Sequence, residues 1–210
     1  MNNKKAVAEK LLQINAIKLS PDKPFTWASG WKSPIYCDNR KALSFPLVRD
    51  FIKAEMCDTI SHFFKNADLL AGVATAGIAW GALAADHLKL PYIYVRPKPK
   101  DHGLGNQIEG NFEKGMKVVV IEDLISTGKS SLEVVQVLKN SGLEVAGMVS
   151  IFTYGFKEAE EAFKQANVTY ISLTDYDILI TSAMEKGIVS INEEKTLLDW
   201  RGKPSAWKNS

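Results

Sequence analysis

The stretch Lys117–Ser131 constrains the fold more than any other part of the chain. A wholly apolar, β-branched run, Val118–Val119–Val120–Ile121, leads into two adjacent acids, Glu122 and Asp123. Leu124 and Ile125 follow, then Ser126–Thr127–Gly128–Lys129–Ser130–Ser131. A short β-branched run bounded by polar residues predicts a fully buried, parallel strand. Leu132, Val135 and Leu138 recur every three residues and Val134 widens the same face, so a helix follows. Asn140–Ser141–Gly142 stops it, with Gly142 suited to the left-handed position after the last turn. The expected unit is therefore strand, acidic turn, hydroxyl-and-glycine loop, helix.

Such a loop has a definite chemistry. A helix N-terminus leaves backbone N–H groups without partners, and its dipole favours an anion. Ser126, Thr127, Ser130 and Ser131 bring hydroxyl donors to the same point, and Gly128 lets the backbone approach closely. The two carboxylates repel phosphate but accept hydrogen bonds from hydroxyls. A ligand with a phosphate at one end and a sugar diol at the other satisfies both halves. A nucleotide-triphosphate loop does not fit, because the glycine it needs five positions before Gly128 is Asp123. No GxGxxG follows the strand, so a dinucleotide fingerprint is absent too. Read alone, the hydroxyls would be common helix caps; the adjacent acids and the apolar strand favour a ligand.

The string VVVIEDLISTGKS resembles the phosphoribosyl-pyrophosphate (PRPP) signature of type I phosphoribosyltransferases. The resemblance implies that Glu122 and Asp123 hold the ribose hydroxyls. It gives the loop Leu124, Ile125, Ser126, Thr127, Gly128, Lys129 and Ser130 to PRPP, with Ser126–Ser130 on the 5′-phosphate.

Earlier in the chain, Leu69–Val73 predicts a short strand, followed by Ala74–Thr75–Ala76–Gly77 and an alanine-rich helical run to Lys89. Small residues let the backbone approach a ligand at a second helix N-terminus. By resemblance this is the pyrophosphate loop; read alone, it is equally a tight turn. Leu90–Val95 predicts a third strand. Residues 96–110, RPKPKDHGLGNQIEG, then gather Arg96, Lys98, Lys100 and His102 among prolines and glycines, which predicts no regular element. A loop of that length is seldom an idle connector, although a basic loop is usually only a solvated surface. Arg96, Lys100, Asp101, His102 and Gly103 match the R-x-x-x-K-D-H-G of the mobile catalytic loop of orotate phosphoribosyltransferases. In that family the loop reaches the site of a neighbouring subunit, so the resemblance implies a homodimer. It also implies catalytic roles for Lys100, His102 and Asp123, and PRPP contacts for Arg96.

The N-terminal forty residues predict a helix over Asn2–Ile17, on the spacing of Val7, Leu11, Ile14 and Ile17, and then an irregular strand pair. Phe25, Thr26, Ser29, Gly30, Ser33, Pro34 and Tyr36 match the F-T-x-x-S-G-x-x-S-P-x-Y hood of orotate phosphoribosyltransferases, which implies orotate as the base. Two departures stand out. Ala28 replaces a substrate-contacting lysine of many members, and Tyr154 stands where some members have, close by, an arginine that meets the orotate carboxylate. Lys32, the Ser126 hydroxyl and backbone N–H groups of the hood are the candidate replacements. Ser44 and Pro46 introduce a helix over Phe45–Phe64. Val145–Thr153 and Val168–Leu173 predict two more strands. Helices are expected at Phe156–Gln165, Thr174–Lys186 and Asn192–Trp200.

Alternating strands and helices from Leu69 onward predict an α/β fold. Its mostly parallel sheet is doubly wound and flanked by helices. The expectation is one phosphoribosyltransferase domain over 1–210, with residues 1–40 forming the N-terminal helix and hood. A net charge of +2 gives no argument for nucleic acid, and no apolar run nears the roughly twenty residues that span a bilayer. Met1–Lys10 lacks the apolar core of a signal peptide, and Cys37 and Cys57 lack metal or disulfide spacing, so a reducing cytoplasm is expected. The activity implied is transfer of ribose 5-phosphate from PRPP to N1 of orotate in UMP biosynthesis. Magnesium would be held mainly by PRPP, with no protein metal site. A phosphoribosyltransferase for another base, or a PRPP-sensing regulator on the same fold, are the alternatives.

Overall fold

The computed structural model describes residues 3–27, 30–98 and 107–207. In chain order the elements are α1 (Lys4–Gln13), β1 (Ile17–Leu19), β2 (Phe25–Thr26), β3 (Lys32–Ser33), β4 (Ile35–Cys37), a 3-10 helix (Asn39–Ser44), α2 (Pro46–Phe63), β5 (Leu69–Val73), α3 (Ala76–Leu88), β6 (Tyr92–Val95) and β7 (Ile108–Glu109). Then come β8 (Lys117–Ile125), α4 (Lys129–Asn140), β9 (Glu144–Thr153), α5 (Lys157–Gln165), β10 (Tyr170–Asp175), α6 (Tyr176–Glu185) and α7 (Ile191–Gly202). They form two compact units, residues 50–173 and residues 3–49 with the described part of 174–210.

The first unit is built on a six-stranded sheet in the order β10-β9-β8-β5-β6-β7. β9, β8, β5 and β6 run parallel, and β7 pairs antiparallel at the edge. β5 is wholly buried and the apolar runs of β8 and β9 largely so, while β6 alternates buried and half-buried residues. Val118 and Val120 of β8 and Leu69, Ala71 and Val73 of β5 pack with Val134, Val135 and Leu138 of α4 and Phe163 of α5. Gly72 lies on the opposite face, against α3. From β5 the chain moves to β6 on one side; from β8 it moves to β9 on the other. The order therefore reverses between β5 and β8, and in such sheets the crevice beyond the strand ends at that reversal receives ligands.

Three expectations need correction in this unit. β8 does not stop at Ile121: it pairs with β9 through Ile125↔Thr153, so Glu122 and Asp123 are strand residues, not a turn. A buried acid is tolerated there because neighbouring donors meet it. The 96–110 segment does contain regular structure, since Ile108–Glu109 adds an edge strand to β6. Arg96 N–H donates to the Gln107 carbonyl (2.9 Å), and Gln107 Nε2 donates to the Arg96 carbonyl (2.8 Å). The helix after β9 is shorter than expected, with Phe156 extended ahead of Lys157.

The second unit joins the two ends of the chain. β2 and β3 form a hairpin, with Thr26 opposite Lys32, and β1 pairs antiparallel with β4. Trp200 of α7 is fully buried; its indole N–H donates to the Lys32 carbonyl (3.2 Å), and its ring meets Trp27 edge-on at 5.5 Å. Tyr176 of α6 donates to the Leu197 carbonyl (3.0 Å). α7 begins at a capping box in which Ser190 and Glu193 satisfy each other's backbone N–H. The N-terminal helix ends earlier than its apolar spacing predicts. Asn15 adopts a left-handed conformation (φ 54°), Ala16 N–H returns to the Leu11 carbonyl, and Ile17 enters β1. Ser44 closes the 3-10 helix instead of capping α2, which starts at Pro46.

Candidate functional site

Two strand-to-helix connections meet at the reversal of strand order. After β5 come Ala74 and Thr75, joined by a cis peptide bond, and then α3. After β8 come Ser126, Thr127 and Gly128, and then α4. Parallel pairing of Gly72 with Ile121 sets the two strand ends side by side. The first turn of α3 lies directly on β8: a Cβ on Gly77 would stand 2.3 Å from the Ile121 carbonyl oxygen, where no side chain fits. Tyr92 holds the same helix from β6, its hydroxyl donating to the Ile78 carbonyl (2.8 Å). That support was not expected from the sequence, because Tyr92 alone reads as one more strand aromatic.

The second loop is equally tight. Gly128 is left-handed (φ +79°), and a Cβ there would lie 2.7 Å from the ring of Phe163. Its conformation and its backing by α5 both require glycine. Ser126 and Thr127 are half-buried, while Lys129 and Ser130 are exposed. No side chain caps α4, so the N–H groups of its first turn remain available to an anion.

The two acids differ. Asp123 is half-buried, whereas Glu122 is 5% exposed. Glu122 Oε1 accepts from the Asp123 N–H (3.0 Å), and Oε2 accepts from the Ser131 hydroxyl (3.1 Å). Burial, and then the Asp123 charge, push the Glu122 carboxyl well above the usual carboxylate range; the Asp123 N–H and the Ser131 hydroxyl pull it back. Ser131 therefore serves the acid, not an anion at the helix start as its place in the hydroxyl-rich string suggested. The signal was in the sequence: positions 131, 135 and 138 share the buried face of α4.

Of the other expected site residues, Ala74 and Ala76 are half-buried, Thr75 is exposed and Gly77 is buried, all around the start of α3. Arg96 lies at the base of the basic segment, with Nη1 3.7 Å from Glu109 Oε1. Lys32 sits on the hairpin of the second unit, where Nζ donates to Thr26 Oγ1 (2.8 Å). Tyr154 is buried, stacked on Phe156 and edge-on to Phe152, so its side chain belongs to the core. Ala28, Ser29, Lys100, Asp101, His102 and Gly103 lie outside the described residues. Cys37 and Cys57 are free thiols. No described helix is long and apolar enough to cross a membrane.

Comparison with known proteins gives the same direction. A phosphoribosyl transferase domain model matches residues 47–181. An orotate phosphoribosyltransferase of Bacteroides thetaiotaomicron is 55% identical over 206 residues, covering 98% of this chain and 97% of that protein. One from Bacillus subtilis is 54% identical, covering 97% and 94%. The crystal structure of orotate phosphoribosyltransferase from Aeropyrum pernix superposes with a TM-score of 0.76 at 28% identity, covering 88% of this chain and 99% of that one. With more than half its residues shared along nearly its whole length, a sheet of the same fold and the acid-and-hydroxyl loop in place, the chain belongs to the orotate phosphoribosyltransferase family.

Proposed function

We propose that the protein transfers the ribose 5-phosphate group of PRPP to N1 of orotate, giving orotidine 5′-phosphate and pyrophosphate. The observation that carries this reading is the junction of the two loops. An acid pair and an uncapped helix N-terminus follow one strand, and a small-residue helix start follows its neighbour. The first suits a phosphorylated sugar, with Asp123 and Glu122 toward the diol and Ser126–Ser130 toward the 5′-phosphate. The second, Ala74–Gly77, suits the pyrophosphate on C1.

In the reaction the C1–O bond breaks, and its electron pair leaves on pyrophosphate. The C1–N1 bond forms as N1 of orotate gives up its proton to solvent water. The ribose passes through an oxocarbenium-like state, so no side-chain nucleophile is required. The protein's work is to hold two reactants in line and stabilise the departing charge. Among the described residues no group of three or more His, Cys, Asp or Glu forms a metal cage. Both Glu122 oxygens already accept hydrogen bonds, from the Asp123 N–H and the Ser131 hydroxyl, so the acids are assigned to the ribose diol and the magnesium ion to PRPP's own oxygens. When bound, magnesium would neutralise part of the pyrophosphate charge. Arg96, Lys100 and His102 take the rest, all three being assigned by resemblance, with the 96–110 loop acting on the neighbouring subunit of a homodimer. Lys32, the Ser126 hydroxyl and backbone N–H groups of the hood are assigned to the orotate carboxylate by resemblance alone, in place of the cations that Ala28 and Tyr154 replace. Two free thiols suit a reducing cytoplasm.

The test is a spectrophotometric assay of base consumption with PRPP and magnesium. Orotate should be consumed, while adenine, hypoxanthine and uracil should not. Consumption of a purine with no turnover of orotate would overturn the assignment.

A further inference from the structure

The signature loop ends at Ser130, yet the next residue makes the more specific contact. Ser131 is on the first turn of α4 and is 1% exposed. A serine there often satisfies backbone N–H groups, but α4 has no side-chain cap. The Ser131 hydroxyl instead crosses to β8 and donates to Glu122 Oε2 at 3.1 Å. The other carboxylate oxygen is already taken by the Asp123 N–H at 3.0 Å. One donor comes from the acid's own strand and one from the helix, and the neighbouring Asp123 carboxyl makes a further side-chain contact.

We propose that Ser131 is a positioning residue for phosphoribosyl transfer, holding the Glu122 carboxylate toward the ribose diol and tying it to the helix whose N-terminus receives the 5′-phosphate. This rests on the function proposed above. It makes the two halves of the sugar-phosphate site one rigid piece. Any shift of α4 on phosphate binding carries Glu122 with it, and a correctly seated Glu122 holds α4 in place.

Among the described residues, Ser131 supplies a side-chain hydroxyl to Glu122, and the Asp123 carboxyl also lies in hydrogen-bonding contact with it. The charged group facing Glu122 is Asp123 on the same strand. From β9 its register partner is Ser150, uncharged and hydrogen-bonded to Ser172 at 2.6 Å. From α3 the Gly77 backbone lies against Glu122 Cα and brings no charge. From α4 comes Ser131 itself. Removing its hydroxyl leaves a buried carboxylate oxygen without a donor, which favours the protonated form and frees the side chain to turn.

The experiment compares wild type, Ser131→Ala, Ser131→Thr, Glu122→Gln and the Ser131→Ala/Glu122→Gln double variant. One readout is the Glu122 carboxyl titration by carbon NMR, assigned by its loss in Glu122→Gln. The other is kcat and the PRPP KM across pH. Ser131→Ala should move the Glu122 titration up by about one pH unit and raise the PRPP KM about tenfold at neutral pH. The loss should shrink as pH rises, Ser131→Thr should restore both readouts, and Ser131→Ala should add little on the Glu122→Gln background. An unmoved titration in a folded Ser131→Ala protein, or losses that multiply in the double variant, would overturn the proposal. If Ser131→Ala does not fold, Ser131→Cys keeps the volume with only a weak donor and is read against the same criteria. Should wild type fail to consume orotate, the function falls, while the titration still decides the Ser131–Glu122 link.

Discussion

Gly77→Ala tests how closely the two loops are registered. The added Cβ would lie 2.3 Å from the Ile121 carbonyl oxygen and 3.5 Å from Glu122 Cα. The first contact is about an ångström short of ordinary van der Waals distance. The obstructing atom is backbone in a buried parallel strand, so no rotamer change relieves it. Either the start of α3 lifts or β8 bends just before its acids. Overpacking of this kind costs about 1–3 kcal/mol. For a chain of this size each kcal/mol lowers the melting temperature by about 2–4 °C, so a fall of about 2–12 °C is expected. A displacement of about 1 Å between the groups that hold two ends of a substrate costs about a hundredfold in rate. The assay is a circular-dichroism melt alongside orotate consumption at saturating PRPP. Gly202→Ala is the control, because nothing lies within 4 Å of its Cβ position. A Gly77→Ala protein that melts with the parent and turns over at the parental rate would refute the claim that α3 is pinned to β8.

Three further outcomes are expected. Asp123→Asn should raise the PRPP KM, because its carboxylate is assigned to the ribose hydroxyls; an unchanged KM removes that role. Lys100→Ala should lower kcat far more than PRPP affinity. One cation about 4 Å from one anionic charge is worth roughly 4 kcal/mol at an effective dielectric near 20, about a thousandfold in rate if realised only at the transition state; equal losses in both constants contradict a late-acting loop. Glu122→Gln should flatten the pH dependence of stability in the ligand-free protein. The folded carboxyl titrates above its unfolded value, so the folded state holds more protons in that interval, and stability falls as pH rises from the ordinary glutamate range upward. Thermal melts at stepped pH should show that decline in the parent and less of it in Glu122→Gln; parallel curves would contradict the buried, raised carboxyl.

Much of the sheet was legible in the sequence because its central strands, β5, β8 and β9, are largely buried on both faces and read as plain apolar runs. Leu69–Val73 forms β5 residue for residue, and α4 begins and ends where its serine–glycine signals stand. What escaped was set by partners distant in the chain. Glu122 and Asp123 looked like a strand terminator, yet β9 carries the pairing past them and Ser131 meets the buried carboxylate. The extra edge strand at Ile108–Glu109 depends on Tyr94 and Val95 of β6, its register partners, being open on that side. The hairpin at Phe25–Ser33 was expected, but not its hold by Trp200, which lies 168 residues from Lys32. The candidate site was legible to the extent that its chemistry sits in contiguous loops. The residues that brace it, Tyr92, Phe163 and Ser131, carry no local mark of that role beyond burial on the correct face.

Crystals grown without ligand and soaked in ribose 5-phosphate test the account at its centre. The phosphate should appear at the first turn of α4, on the N–H and hydroxyl groups of residues 126–130, with the sugar hydroxyls against Asp123 and Glu122. A sugar phosphate bound elsewhere, with that turn left empty, would contradict it.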